Sequence, residues 1–230
     1  MLQLSQIELR ADDFVLKADF TVAPAAKVAI IGPSGAGKST LLDTIAGFKT
    51  PASGRIFWEN QDITDAAPGD RPLSIVFQDS NLFPHLSVFA NVALGVRPDQ
   101  RLSDAEKNSV VQALRRVGLE KYQSQLPGQL SGGQISRVAL ARVLVRRMPL
   151  ILLDEPFAAL GPALRAEMLD LVSELATDSD AMLLMVTHDP RDAERIADQT
   201  ILVTDGRAHP PQDTKALLAN PPQTLRDYLG

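Results

Sequence analysis

The string Gly32-Pro33-Ser34-Gly35-Ala36-Gly37-Lys38-Ser39 constrains this chain more than any other, because it matches G-x-x-x-x-G-K-[ST] in full. It follows Val28-Ala29-Ile30-Ile31, an apolar run that reads as a strand buried on both faces. After it the period changes: Leu41, Leu42, Ile45 and Ala46 share one helical face, and Gly47 stands where a helix stops. Strand, glycine loop and helix in that order make a cradle for phosphate. Successive backbone N–H groups turn inward around the anion and the helix N-terminus adds a favourable dipole. Lys38 would reach the β- and γ-phosphates, Ser39 would place its hydroxyl on Mg²⁺, and Thr40 would bond a further phosphate oxygen.

A fold must carry this loop. Leu2, Leu4, Ile7 and Leu9, then Phe20 and Val22, alternate as strands do, and Gly54 to Trp58 and Leu73 to Phe77 read as further strands around the turn-rich stretch Asp62 to Arg71. Between Phe77 and Pro149 the character is helical. Ser103-Asp104-Ala105-Glu106 has the capping-box form and Gly118 stands as its stop, while a second helix is predicted from about Ser131 to Arg147, ended by Pro149. From Leu150 onward strands (Leu150 to Leu153, Ala181 to Val186, Thr200 to Val203) alternate with helices (Pro162 to Ala176, and after Pro190). Such alternation predicts an α/β protein with a mostly parallel sheet, the middle third being a helical insertion. The tail from Pro210 to Gly230 is predicted to hold short helical pieces at most.

Composition narrows the partners. With 45% hydrophobic residues among 230 the chain can bury one sizeable core. Its 23 basic and 28 acidic side chains leave a net charge of −5, which speaks against nucleic acid or anionic lipid bound by bulk electrostatics. The longest strongly apolar run, Ala181 to Val186, falls far short of the roughly 20 residues a spanning helix requires. Met1-Leu2-Gln3-Leu4 leads directly into strand-like sequence, so no secretory leader is expected. The lack of cysteine excludes disulfides and thiolate metal sites and fits a reducing compartment.

Two further motifs bear chemistry. Leu150-Ile151-Leu152-Leu153-Asp154-Glu155 puts two carboxylates at the end of an apolar strand, and open parallel sheets collect ligands at such ends. Asp154 would hold Mg²⁺, directly or through water, and Glu155 would polarise an attacking water. A small-molecule kinase fits these features as well as an ATPase does. Leu130-Ser131-Gly132-Gly133-Gln134 discriminates between them: Ser131 is an N-cap, and Gly132 and Gly133 expose N–H groups at a helix start, a second anion site in one chain. Read in isolation the same residues describe an ordinary capped helix with a permissive glycine pair.

With the phosphate loop, the LSGGQ string and the LLDE strand in that order, the chain resembles the nucleotide-binding subunits of ATP-binding cassette (ABC) transporters over essentially its whole length. The resemblance implies a P-loop NTPase (RecA-like) core over residues 1–77 and 148–230, with an antiparallel β subdomain and an α-helical subdomain inserted over 78–147. It assigns Gln78 to Mg²⁺ and the attacking water, His188 to the γ-phosphate, and Ser131, Gly132, Gly133 and Gln134 to the ATP of a second copy. It also implies a homodimer with two sandwiched ATPs, separate transmembrane permease subunits, a substrate-binding protein acting through them, and a peripheral place on the cytoplasmic face of the inner membrane. Asn81 to Asn91, with Phe83, Pro84 and His85, falls where the family receives its permease, and equally reads as a surface loop with a few anchoring apolar residues.

Narrower runs such as Asn81-Leu-Phe-Pro-His-Leu and Leu126-Pro-Gly-Gln-Leu-Ser look most like the ATPases of bacterial thiamine importers. Importers of iron, polyamines or inorganic anions, and an exporter, remain alternatives on the sequence, while the acidic balance disfavours an ATPase acting on DNA or ribosomes. Three positions depart from the family pattern. Gly161 stands where a D-loop aspartate is usual, predicting weaker coupling between the two ATP sites. Ile135-Ser136-Arg137 lacks a common cation after the LSGGQ string. Ala11 replaces the adenine-stacking aromatic, leaving Phe14 as the nearest candidate, either stacking on the base or buried in the core.

Overall fold

A computed structural model describes residues 1–11, 14–77 and 81–229, with only the backbone of 11 and 227–229. Strand β1 (Leu2–Ala11) pairs antiparallel with β2 (Phe14–Val22) and with β4 (Ser53–Trp58), which pairs with a short β5 (Gln61–Asp62). Between them in sequence lie β3 (Lys27–Ile31) and helix α1 (Lys38–Ala46), and β6 (Leu73–Val76) follows. Helices α2 (Val88–Ala93), α3 (Asp104–Arg116) and α4 (Gly132–Arg146) come next. Then β7 (Leu150–Asp154), α5 (Pro162–Asp178), β8 (Met182–Val186), α6 (Pro190–Ile196) and β9 (Gln199–Thr204) alternate as predicted. The chain closes with β10 (Arg207–Ala208), β11 (Gln212–Asp213), α7 (Thr214–Ala219) and α8 (Gln223–Leu229).

Among the described residues the strands form one 11-stranded sheet, in which β9, β3, β8, β7 and β6 lie side by side and parallel. The two-residue β10 joins this parallel half to the antiparallel half, pairing with β9 on one side and β2 on the other. Alternation along each strand sends its side chains to two cores. Val28 and Ile30 of β3, with Leu150 and Leu152 of β7, pack with Leu41, Leu42 and Ile45 of α1 beneath the antiparallel strands. Ala29, Ile31, Ile151 and Leu153 face the opposite way, into a core shared with α2 to α6. The inserted helices therefore rest on the same core as α5 and α6: Val110, Leu114 and Val138 are buried together with Leu153 and Met168.

Local structure differs from the sequence reading in four places. The segment from Asn81 to Asn91 is not merely a surface loop, since α2 starts at Val88 behind the N-cap Ser87, with Val88, Asn91, Val92 and Ala93 buried. Asn91 lies three residues into that helix and binds back to the preceding turn, accepting from Phe83 N at 2.8 Å and donating to the carbonyls of Phe83, Leu86 and Ser87. Helix α4 stops before Pro149 is reached, because Arg147 turns left-handed with φ 50°. The tail carries the β11 pairing as well as helices, and β5 leads into the turn-rich stretch, sharing only Asp62 with it.

Candidate nucleotide site

The exits of three adjacent parallel strands meet on one edge. Ile30, Val186 and Asp154 lie side by side in register, so the loop after β3, the residues after β8 and the end of β7 leave the sheet together. Gly32 is held hard against β9. A Cβ placed there would come within 2.0 Å of the Val203 carbonyl oxygen, so only glycine lets the loop start so close to the sheet. At the other end Gly37 adopts φ 100° and precedes α1 as an N-cap with no side-chain bond, which leaves the N–H groups of the helix start facing outward. Ser34 and Gly35 are exposed at the loop tip, and the Pro33 carbonyl accepts from Ala36 N at 3.2 Å to close the turn between them.

Lys38 is almost fully buried and donates to the carbonyls of Gly32 at 2.8 Å and Pro33 at 3.0 Å, two bonds within its own loop. Burial holds its pKa below the ordinary lysine value, opposed by the nearby Glu155 and Asp154 carboxylates. Ser39 Oγ donates to Asp154 Oδ1 at 3.1 Å. Asp154 is shifted upward, first by desolvation and then by the charges of Glu155 and Asp43, while the Ser39 bond and Lys38 pull it back. The Thr40 hydroxyl faces Lys49 Nζ at 3.4 Å, and Lys49 also reaches Asp43 at 3.5 Å.

Beyond Asp154 the backbone turns sharply. Glu155 takes φ 45°, an uncommon conformation for a side chain of its size, while its N–H donates to Val186 O at 3.1 Å. The turn carries its carboxylate toward His188, whose Nδ1 lies 3.3 Å from Glu155 Oε2. Lys38, Ser39, Asp154, Glu155 and His188 are thus brought into one cluster. Ser39 and Asp154 supply two hard oxygens, a donor set that fits Mg²⁺ completing its shell with phosphate and water. Gln78 lies outside the described residues.

The two other predicted groups, Phe14 and the start of α4, are not part of this cluster. Phe14 is half-buried against the α1 core, and its ring lies where a Gly37 Cβ would come within 2.6 Å, so it packs on the phosphate loop itself. Ser131 N-caps α4: its hydroxyl accepts from Gln134 N at 3.4 Å, and Gln134 Oε1 accepts from Ser131 N at 2.8 Å. Gly133 is buried against Leu164 of α5, and Gly132 approaches Leu160. Among the described residues no hydrogen bond joins this helix start to the phosphate loop of the same chain. The capped helix and the anion site are compatible, because the capping box uses the N–H groups of Ser131 and Gln134 and leaves those of Gly132 and Gly133.

Residues that the sequence reading passed over support the site. Arg71 is buried and donates to the carbonyls of Thr44 and Ile45, both at 2.8 Å, closing the far end of α1. Arg165 of α5 and Asp192 of α6 form a pair beneath His188. No local motif marks either arginine. The only sequence signal for Arg165 is its position in the first turn of a helix that follows the strand-end carboxylates.

The ABC transporter family model matches residues 15–158. The thiamine import ATP-binding protein ThiQ of Cereibacter sphaeroides is 56% identical over 230 residues, covering all of both chains. Among solved structures, cbiO1 of Clostridium perfringens, part of the transporter complex cbiONQ, matches with TM-score 0.85 and 30% identity over 95% of this chain and 90% of its own. The dimeric post-hydrolysis state of the cassette MJ0796, bound to ADP and Pi, matches with TM-score 0.79 and 28% identity over 93% of this chain and 99% of its own. The fold, the strand-exit cluster and these likenesses agree, and the chain belongs to the ABC transporter family.

Proposed function

We propose that this chain is the ATP-hydrolysing subunit of a thiamine importer. The convergence of Lys38, the Ser39–Asp154 pair and the Glu155–His188 pair on one strand edge carries the enzymatic part of this reading. The full-length likeness to a thiamine import ATPase carries the solute. On binding, Lys38 exchanges the carbonyls of Gly32 and Pro33 for phosphate oxygens, and the outward N–H groups of the loop and α1 cradle the rest of the chain of phosphates. Ser39 and Asp154, joined in the family resemblance by Gln78, would hold Mg²⁺, which would neutralise charge on the phosphate oxygens. Glu155 orients and polarises the attacking water, and His188 contacts the γ-phosphate from the next strand exit.

A second copy contributes Ser131, Gly132, Gly133 and Gln134 to each ATP, so that hydrolysis is coupled to the closing and opening of a dimer. The related cassette solved as a dimer supports this arrangement. Residues 1–77 and 148–230 form the catalytic core. Residues 78–147, the helical subdomain, transmit the motion to membrane permease subunits loaded by a solute-binding protein.

The test is phosphate release by the chain co-purified with its membrane subunits in vesicles. Glu155→Gln should abolish turnover while ATP is still bound, and thiamine delivered by its binding protein should stimulate the wild-type rate. Turnover that survives Glu155→Gln overturns the catalytic assignment. Stimulation by another solute in place of thiamine overturns the solute assignment alone.

A further inference from the structure

His188 sits two residues past the end of β8, where a backbone usually acquires the freedom of a loop. Here both of its neighbours are locked. Thr187 is 3% exposed; its N–H donates to Ile30 O at 3.1 Å, and its hydroxyl donates to Asp192 Oδ2 at 3.0 Å. The same hydroxyl accepts from Asp189 N at 3.1 Å, so one oxygen holds the residues before and after His188. Behind it, Arg165 Nε donates to Asp192 Oδ2 at 2.8 Å, its Nη2 binds the same oxygen, and its Nη1 stands 3.6 Å from Asp189 Oδ2. The Arg165 and Asp192 side chains are 16% and 10% exposed.

We infer that Thr187, Asp192 and Arg165 are positioning residues that fix His188, and with it the Glu155 carboxylate, relative to the phosphate loop. The inference rests on the reading of His188 as a γ-phosphate contact. A buried ion pair is a poor device for stability alone, since apolar side chains of like volume would hold α5 against α6 as well. Such a tie would also need nothing from the strand exit. The Thr187 hydroxyl connects the pair to the peptide that carries His188, and Ile30 connects that peptide to the strand leading into Gly32. Thr187→Val removes only the hydroxyl, keeping shape and β-branching, and Asp192 retains Arg165.

The experiment measures initial rates of ATP hydrolysis by the full-length chain across Mg-ATP concentration, with Tm determined alongside. Thr187→Val should lower kcat about ten-fold, because small misplacements of a reacting group have large kinetic effects, while KM for ATP changes less than about two-fold. Thr187→Ser should restore the rate, and Arg165→Lys, which loses the forked geometry, should lower kcat in the same way. A Thr187→Val enzyme with wild-type kcat overturns the inference, and so does one whose kcat falls only in step with its Tm. His188→Ala separates the levels: if it leaves kcat intact the role of His188 itself fails, whereas if it lowers kcat and Thr187→Val does not, only the network fails.

Discussion

Lys38 rests with its ammonium on the carbonyls of the loop it serves, and Asp154 rests on the hydroxyl of Ser39. Each charge is partly desolvated before any ligand arrives, so Lys38 is held below and Asp154 above its ordinary pKa. For Asp154 the sign is unfavourable to folding. A carboxyl whose folded pKa is raised costs stability while ionised, and that cost is relieved as pH falls through the folded pKa. Asp154→Asn should therefore raise the Tm of the nucleotide-free chain at neutral pH, with the gain shrinking on acidification, as thermal melts across pH would reveal. Gly32 illustrates the opposite constraint, a residue fixed by what surrounds it. Gly32→Ala drives a Cβ into the Val203 carbonyl, so a loss of about 3 kcal/mol is expected in denaturant unfolding, together with loss of ATP binding.

Helix α1 has two ends built for different tasks. Its N-terminus is left without a side-chain cap, which keeps N–H groups available for phosphate, whereas its C-terminus is closed by Gly47 at φ 89° and by the Arg71 guanidinium. The buried charge of Arg71 meets the negative end of the helix dipole and four backbone carbonyls, those of Ala66, Thr44, Ile45 and Thr64. Arg71→Ala leaves those carbonyls unpaired and opens a void. It should cost about 3 kcal/mol in unfolding free energy and weaken nucleotide binding indirectly by loosening α1. Gly161 begins α5 as an extended N-cap with open space around it, so the aspartate usual in the family would fit there without strain. Its absence is explained by nothing local.

Among the described residues the exposed large apolar side chains are few, and one of them, Phe83, edge-on to His85 with ring centroids 6.1 Å apart, is 46% exposed. The segment carrying exposed Leu126 runs beside α2, with Gln125 and Gln123 accepting from Val88 and Phe89 N–H groups. Phe83 lies in the segment that the family resemblance assigns to the permease. Phe83→Asp should weaken association with the membrane subunits by about 2 kcal/mol, roughly thirty-fold, while ATP binding by the chain alone is unchanged. Co-purification and nucleotide titration test the two halves of that statement. No helix among the described residues is long and apolar enough to cross a membrane.

Much of this was legible in local sequence. The strand, loop and helix around Gly32 to Ser39, the strand ending in Asp154 and Glu155, and the capped helix from Ser131 all appear where periodicity and capping chemistry put them. Such features depend on neighbours a few residues apart, and short-range sterics and hydrogen bonds specify them. Helix α2 escaped because its short apolar pattern competes with a proline-bearing turn, and Asn91, which stabilises that turn, reads as an ordinary polar residue. The joining of the sheet halves through β10, the closure of α1 by Arg71 and the bracketing of His188 by Thr187, Asp192 and Arg165 are of another kind. Each depends on groups far apart in the chain being brought within hydrogen-bond reach. By itself the sequence determined which residues carry chemistry suited to phosphate, metal and water; the tertiary structure alone decided which buried charges and hydroxyls hold them in place, because burial and partner geometry exist only once the sheet has formed.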